Sequence, residues 1–123
     1  MQEQEIHSAI GDAGFQRLVA AFYRQIPQDD ILGPMYQGRD LAAAEARLRD
    51  FLIYRFGGSD KYIQERGHPR LRMRHAPFVI NEAARNRWMQ LMRVALTEVQ
   101  FPPEIEEGLV PYLDTTATFM INR

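Results

Sequence analysis

The chain has 123 residues, of which 46% are hydrophobic and 25% are charged, and this ordinary globular composition excludes a disordered or fibrous protein. Fifteen Lys and Arg against sixteen Asp and Glu give a net charge of -1, whereas chains that coat nucleic acid are usually strongly basic. The absence of cysteine excludes disulfides, thiolate metal sites and thiol catalysis. We expect one cytoplasmic domain over residues 1-123, because no stretch resembles a signal peptide or a membrane span.

Hydrophobic residues recur at steps of three and four in the first half of the chain, which predicts helices. The first helix is predicted over residues 12–26, with Asp12 as its cap. A turn-rich corner follows over residues 29–36. Asp40 then favours the start of a second helix over residues 41–56.

The second half of the chain shows the same helical periodicity after a polar interval. Residues 57–70 are predicted to form an ordered loop, and residues 71–76 a helix of about one turn. Longer helices are predicted over residues 82–99 and 104–121, with a kink or break at Pro111. No segment alternates as a strand does, so the predicted fold class is all-α.

Three histidines are candidates for metal or cofactor binding. His7 and His68 are expected at the surface, whereas His75 ends the short helix and follows several arginines. A partly buried helix-end histidine and a ligand both fit that position. The spacings typical of zinc sites are absent, whereas haem needs only one histidine, an apolar slot and cations near its propionates.

A basic segment and two aromatic residues leave several interpretations open. Between Arg66 and Arg87 there are six arginines and one acidic residue. This segment fits a solvated surface, a phosphate-binding surface or a site that captures carboxylates such as haem propionates. Tyr23 and Trp88 lie on apolar helix faces, where each is either a core residue or a hydrogen-bond donor to a bound ligand.

Several segments together resemble one known family. The sequence RGHPRLRMRHAPF at residues 66–78 is similar to the signature around the proximal histidine of truncated haemoglobins of the second group. Residues 22–23 and 32–36 resemble the family's second helix and the corner after it, and residues 44–52 resemble its distal helix. Trp88 falls where this group carries its distinctive tryptophan.

This resemblance implies a fold in which helices are sandwiched two over two around a non-covalent haem b. It implies that His75 is the proximal iron ligand and that Tyr23, Tyr36 and Trp88 donate hydrogen bonds on the distal side. The other implied haem contacts are Ala44, Arg47, Leu48, Phe51, Tyr62, Arg66, Leu71, Arg74, Phe78 and Met92, with Arg47, Tyr62, Arg66 and Arg74 nearest the propionates. Phe56 and Ser59 replace a tryptophan and a proline that many relatives carry, and they keep an apolar wall and a turn.

The resemblance further implies reversible binding of oxygen, carbon monoxide and nitric oxide. Neutral donors favour a ligand that gains negative charge on binding, so oxygen is expected to leave slowly. Nitric oxide dioxygenation or peroxide reduction would need electrons from an unidentified reductase, and an oxygen or redox sensor would not turn over. The alternative outside this family is a haem-free helical module that binds phosphates through Arg66–Arg87. We expect a monomer or homodimer with no nucleic-acid or membrane partner.

Overall fold

The computed structural model covers residues 1–123 and contains helices and turns but no strands, which confirms the predicted fold class. Short 3-10 turns lie at Glu3–Glu5, Ile26–Gln28 and Gly33–Tyr36. The helices are α1 at Ile6–Tyr23, α2 at Leu41–Arg55, α3 at Lys61–Arg66, α4 at Leu71–Arg74, α5 at Glu82–Val99 and α6 at Pro103–Phe119.

Helix α1 has a break near its start and an earlier end than the sequence predicts. Gly11 has φ 69° and ψ 178°, a conformation that interrupts the helix and is easily adopted by glycine. The predicted helix therefore begins after this break, at residue 12. It stops at Tyr23 and not at residue 26, because Pro27 belongs to a separate 3-10 turn.

Helix α2 begins at the predicted cap and ends against the start of the chain. The Asp40 carboxylate accepts a hydrogen bond from the Ala43 backbone N–H at 3.0 Å. After the helix, Gly57 has φ 101°, and a Cβ atom there would clash with the carbonyl oxygen of Gln4. Glycine is thus needed where the two segments meet.

The predicted loop over residues 57–70 is wrong in part, because it contains α3. Ser59 accepts a hydrogen bond from the first backbone N–H of this helix, and Gly67, with φ 76°, ends it. Tyr62 is buried and packs edge-on against Phe51, with ring centroids 5.4 Å apart. This packing stabilises a helix that is too short to form alone.

Helix α6 differs from its prediction at both ends. It spans Pro103–Phe119, and it continues through Pro111 without a break. Pro111 is exposed and removes only one backbone donor, so the helix tolerates it. The helix ends two residues before the predicted Ile121, and the Asn122 N–H bonds to the Ile80 carbonyl and not to a carbonyl of the helix.

The long helices form two pairs that pack across each other. Helices α1 and α2 are in contact, α5 and α6 are in contact, and α1 also packs along α5. The core between them includes the fully buried side chains Phe15, Leu18, Phe22, Leu52, Met92 and Leu109. None of the helices combines the length and hydropathy needed to span a membrane.

Candidate functional site

A mainly apolar cavity lies between the helix pairs, with the segment around α4 among its walls. It has a volume of about 350 Å³, within the range of small-molecule sites, and 18 of its 25 lining residues are hydrophobic. The predicted site residues that line it are Tyr23, Tyr36, Ala44, Arg47, Leu48, Phe51, Tyr62, Arg66, Leu71, Arg74, His75, Phe78 and Trp88.

Met92 is the predicted site residue that the cavity does not include. Its side chain is fully buried in the hydrophobic core, one helical turn beyond Trp88 on α5. Spacing along α5 correctly indicated an inward-facing residue, but periodicity does not distinguish a core position from a cavity wall.

His75 is half-buried at the cavity wall, and one of its ring nitrogens has a partner within the chain. Nδ1 lies 2.6 Å from the carbonyl oxygen of Leu71. Because a carbonyl oxygen only accepts, Nδ1 must carry the hydrogen and donate it. Nε2 then keeps its lone pair, which is the arrangement that suits a histidine that ligates a metal.

The loop before His75 is held together by Arg74. Its Nε donates to the carbonyl of Pro69 at 2.7 Å, and its Nη2 donates to the carbonyls of Arg66 at 2.8 Å and His68 at 3.2 Å. The loop ends in Arg70, which has a left-handed φ of 41°. Arg74 therefore lines the cavity, as predicted, but most of its donors are bound to this loop.

Three aromatic residues that carry hydrogen-bond donors also line the cavity. Tyr23 and Tyr36 pack edge-to-face with ring centroids 5.9 Å apart, and Trp88 lies 5.1 Å from the ring of Phe22. Burial raises the pKa of Tyr23, and the adjacent Tyr36 hydroxyl raises it further. The Tyr23 hydroxyl therefore remains protonated and can donate a hydrogen bond. The indole N–H of Trp88 makes no hydrogen bond to another residue.

Four arginines line the cavity without a carboxylate partner, and in three of them, Arg39, Arg47 and Arg66, the guanidinium is also not bound to the loop that Arg74 holds. The Arg39 guanidinium lies 4.3 Å from the ring centroid of Phe78. Burial raises the pKa of Tyr36, while the charges of Arg47 and Arg39 oppose that rise. The sequence analysis did not predict Arg39 as a site residue, because an isolated arginine in a turn belongs to no periodic pattern. Its position directly before the Asp40 cap could have indicated that it lies at the start of α2, beside the cavity.

Four of the six arginines between Arg66 and Arg87 are already engaged within the chain. Arg85 pairs with Asp114, and Arg87 pairs with Asp29 and Asp30. Arg72 and Arg74 donate to backbone carbonyls. These contacts leave little of the segment free to bind phosphates, so they count against the phosphate-binding alternative.

The remaining histidines lie away from the cavity. His7 Nε2 contacts the Asp12 carboxylate at 2.6 Å, and its ring stacks on Phe15. His68 is exposed, as expected. Nowhere does the chain bring together three His, Asp or Glu side chains in a group that could hold a metal ion. Of the three histidines, only His75 lines the cavity.

The family model for bacterial-like globins matches residues 5–122. This chain belongs to that family. The globin is 34% identical over 117 residues to group 2 truncated hemoglobin YjbI of Bacillus subtilis, a match that covers 95% of this chain and 88% of the relative. Both results confirm the resemblance to truncated haemoglobins of the second group.

Solved structures agree with the sequence comparisons. The X-ray structure of a thermostable hemoglobin from the actinobacterium Thermobifida fusca superposes with a TM-score of 0.90 at 42% identity, covering 99% of this globin and 98% of that chain. A truncated oxygen-avid haemoglobin from Bacillus subtilis also gives a TM-score of 0.90, at 34% identity, covering 95% and 98%. The two-over-two fold is therefore confirmed.

Membership of this family implies a haem cofactor and haem-based oxygen binding. The residues of this globin fit such a group. The cavity is mainly apolar, one histidine offers a free ring nitrogen, and arginines without carboxylate partners lie at its wall. These are the protein features that a haem with two propionates requires.

Proposed function

We propose that this globin is a haem b protein that reversibly binds oxygen, carbon monoxide and nitric oxide, with His75 as the iron ligand. The observation that carries the proposal is the His75 ring. Its Nδ1 is fixed by the Leu71 carbonyl at 2.6 Å, so its Nε2 is left free at an apolar cavity wall. Haem, when bound, supplies the iron at which diatomic ligands bind.

The distal donors give the cavity its ligand preference. Tyr23, Tyr36 and Trp88 are neutral donors at the cavity wall, and burial keeps both tyrosine hydroxyls protonated. Preorganised neutral donors stabilise a ligand that gains negative charge, and they stabilise carbon monoxide less. We therefore infer slow release of oxygen from this pocket.

The rest of the wall divides into a charged part and an apolar part. We assign Arg39, Arg47, Arg66 and Tyr62 to the haem propionates, because charge-assisted hydrogen bonds to carboxylates are the strong ones. We assign Ala44, Leu48, Phe51, Leu71 and Phe78 to the faces of the haem. Ala44 is buried, and its small side chain leaves space beside the donors.

Absorption spectroscopy tests the proposal. Purified globin should show an intense Soret band that shifts on reduction with dithionite and again with air or carbon monoxide. His75→Ala should lose the normal ferrous spectrum and most of its haem, because iron loses its protein ligand. His68→Ala is the matched control, since that exposed ring makes no hydrogen bond, and its spectrum should equal that of the wild type.

Two results would overturn the proposal. One is a wild-type spectrum that stays flat after haemin is added. The other is a His75→Ala variant that retains the same ferrous spectrum as the wild type. Strongly salt-dependent binding of nucleic acid by the haem-free protein would instead support the phosphate-binding alternative.

Turnover is a separate question about the same pocket. An enzyme that oxidises nitric oxide needs a supply of electrons, and we assign that supply to a reductase that remains to be identified. Sustained nitric oxide consumption with a reductant would support the enzyme. Consumption of about one nitric oxide per haem would support a carrier or sensor.

A further inference from the structure

The last residues of the chain fold back onto the segment that carries His75. After α6 ends at Phe119, the backbone N–H of Asn122 donates to the Ile80 carbonyl at 2.8 Å. The Asn122 side-chain oxygen accepts from the Ile80 N–H at 2.9 Å. Both backbone polar groups of Ile80 are therefore bound to Asn122, which lies just beyond the C-terminal end of α6.

The amide nitrogen of Asn122 reaches further into the same segment. Its Nδ2 donates to the carbonyl of Phe78 at 3.0 Å and to the carbonyl of His75 at 3.3 Å. The amide has only one orientation that fits, because its oxygen faces a donor and its nitrogen faces two acceptors. One side chain thus ties together three points of the segment from 75 to 80.

Arg72 adds a second link between this segment and the chain end. Its Nε donates to the carbonyl of Phe119 at 3.3 Å, and its Nη2 donates to the carbonyl of Ile121 at 3.1 Å. The link runs from α4 to the residues on either side of Met120. It holds the chain end in the position from which Asn122 reaches His75.

The segment needs these external contacts because its own secondary structure is minimal. Helix α4 has four residues, and the residue before it, Arg70, has φ 41°. A helix of one turn is not stable by itself in water. Within the segment the His75 N–H donates to the Leu71 carbonyl at 3.1 Å and the His75 carbonyl accepts from the Phe78 N–H at 3.0 Å. The bonds from Asn122 and Arg72 are what tie this short turn to the rest of the molecule.

We propose that Asn122 is a positioning residue for His75. It fixes the backbone that carries the imidazole, and it thereby determines how firmly this globin holds its haem. The inference rests on the proposed haem site but concerns a residue 47 positions away in sequence that does not line the cavity. Loss of these bonds lets the His75 backbone shift and weakens the hold of Nε2, while the distal donors stay in place.

Substitution of Asn122 tests this role. Asn122→Ala removes all the side-chain hydrogen bonds of this residue. Asn122→Asp keeps the oxygen that accepts from the Ile80 N–H, but it places a carboxylate oxygen against the carbonyl oxygens of His75 and Phe78, where no hydrogen bond can form. Both variants should lose haem to excess apomyoglobin at least about tenfold faster than the wild type, as expected when two hydrogen bonds (in Asn122→Asp) or three (in Asn122→Ala) are lost. The iron–histidine stretching band of the ferrous protein should shift or broaden in resonance Raman spectra.

Gln25→Ala is the matched control. The half-buried Gln25 amide donates to the carbonyls of Ala21 at 3.1 Å and Leu91 at 2.9 Å, away from the cavity wall. Its removal should lower the thermal midpoint of the protein while leaving the iron–histidine band and the rate of haem loss as in the wild type. This control separates positioning of His75 from a general loss of stability.

Hydrogen exchange in the haem-free protein provides a second readout. Asn122→Ala should speed amide exchange at residues 75–80 more than in α1 or α5, whereas Gln25→Ala should not. If Asn122→Ala does not fold, Asn122→Ser keeps one hydroxyl at the position and should give a smaller change in the same direction.

Two outcomes are distinct failures. If the wild type binds haem through His75 but Asn122→Ala and Asn122→Ser keep the wild-type iron–histidine band and rate of haem loss, the positioning role is wrong and the proposed function stands. If the wild type takes up no haem, the proposed function fails, and the positioning role fails with it.

Discussion

Two of the three proposed distal donors are carried by long helices, whereas the proposed proximal ligand follows a helix of four residues and Tyr36 lies in a 3-10 turn. Tyr23 lies on α1 and Trp88 on α5, each of 18 residues, and both rings pack on Phe22. His75 directly follows α4, and side chains from outside that helix bind the carbonyls around it. Tyr23 and Trp88 are thus positioned by core packing, and His75 by individual hydrogen bonds.

This difference has an energetic consequence. Packing in a core is spread over many contacts, so no single polar substitution removes it. A hydrogen bond to a charged group contributes about 1.5–3 kcal/mol and disappears with one side chain. Single substitutions on the proximal side should therefore change how the globin holds haem, and those on the distal side should change how it holds a gas.

Arg74→Met is expected to have the largest effect, because it removes the donors that bind the loop carbonyls before His75. Haem transfer to apomyoglobin should become about 10- to 100-fold faster, since each 1.4 kcal/mol corresponds to a factor of ten. Arg70→Met is the matched control, because Arg70 is an exposed neighbour whose guanidinium makes no hydrogen bond within the chain. Equal rates of haem loss in these two variants would contradict a proximal wall built on hydrogen bonds.

The long helices could be predicted from sequence because their causes are local. Periodic hydrophobic residues mark α1, α2, α5 and α6, and the Asp40 side chain does cap α2 at the predicted place. The motif around His75 also marked the cavity wall correctly. These features depend on residues close to one another along the chain.

The parts that the sequence did not predict depend on distant contacts. Helix α3 is stabilised by packing of Tyr62 on Phe51, which periodicity within six residues does not reveal. Arg39 meets Phe78 only after folding, and Asn122 reaches His75 across 47 positions. A polar residue near a chain end carries no local signal of such a partner.

Tyr23→Phe should have an intermediate effect, confined to the distal side. It removes a buried donor but keeps the ring that packs on Phe22, so the wall stays in place. Oxygen dissociation from the ferrous protein should become about tenfold faster, the effect of about one hydrogen bond to a charged ligand, and carbon monoxide dissociation should change much less. Both rates are measured by stopped-flow spectroscopy.

The control for this substitution is Tyr54→Phe, because Tyr54 is 37% exposed and does not line the cavity. It should leave both gas dissociation rates at the wild-type values. The comparison between the two walls would break down if Tyr23→Phe accelerated haem loss as strongly as Arg74→Met. That result would mean that the core does not position the distal residues independently.

Asp29→Asn should have the smallest effect on the globin. This substitution tests whether the ion pair between Asp29 and Arg87 also helps to position Trp88. The side chain of Asp29 is 8% exposed and binds Arg87, next to Trp88, at 2.7 Å. Burial acts to raise the pKa of Asp29, but hydrogen bonds from the Leu32 N–H, Arg87 and the Ile31 N–H outweigh it, so the pKa lies below 3.8. The asparagine variant should lower the free energy of unfolding by about 1 kcal/mol at pH 7.

The pH dependence of this difference follows from the direction of the pKa shift. A carboxyl group whose pKa is lower in the folded state stabilises the protein fully above its unfolded pKa of 3.8 and loses that contribution as the pH falls through its folded pKa. The gap between wild type and Asp29→Asn, measured by urea unfolding, should therefore narrow below pH 3.8. Asp30→Asn, at a carboxylate that is 83% exposed, should give a smaller gap. If core packing positions Trp88, Asp29→Asn should leave the oxygen dissociation rate unchanged. An increase in that rate as large as the one expected for Tyr23→Phe would show that the position of Trp88 also depends on single polar contacts.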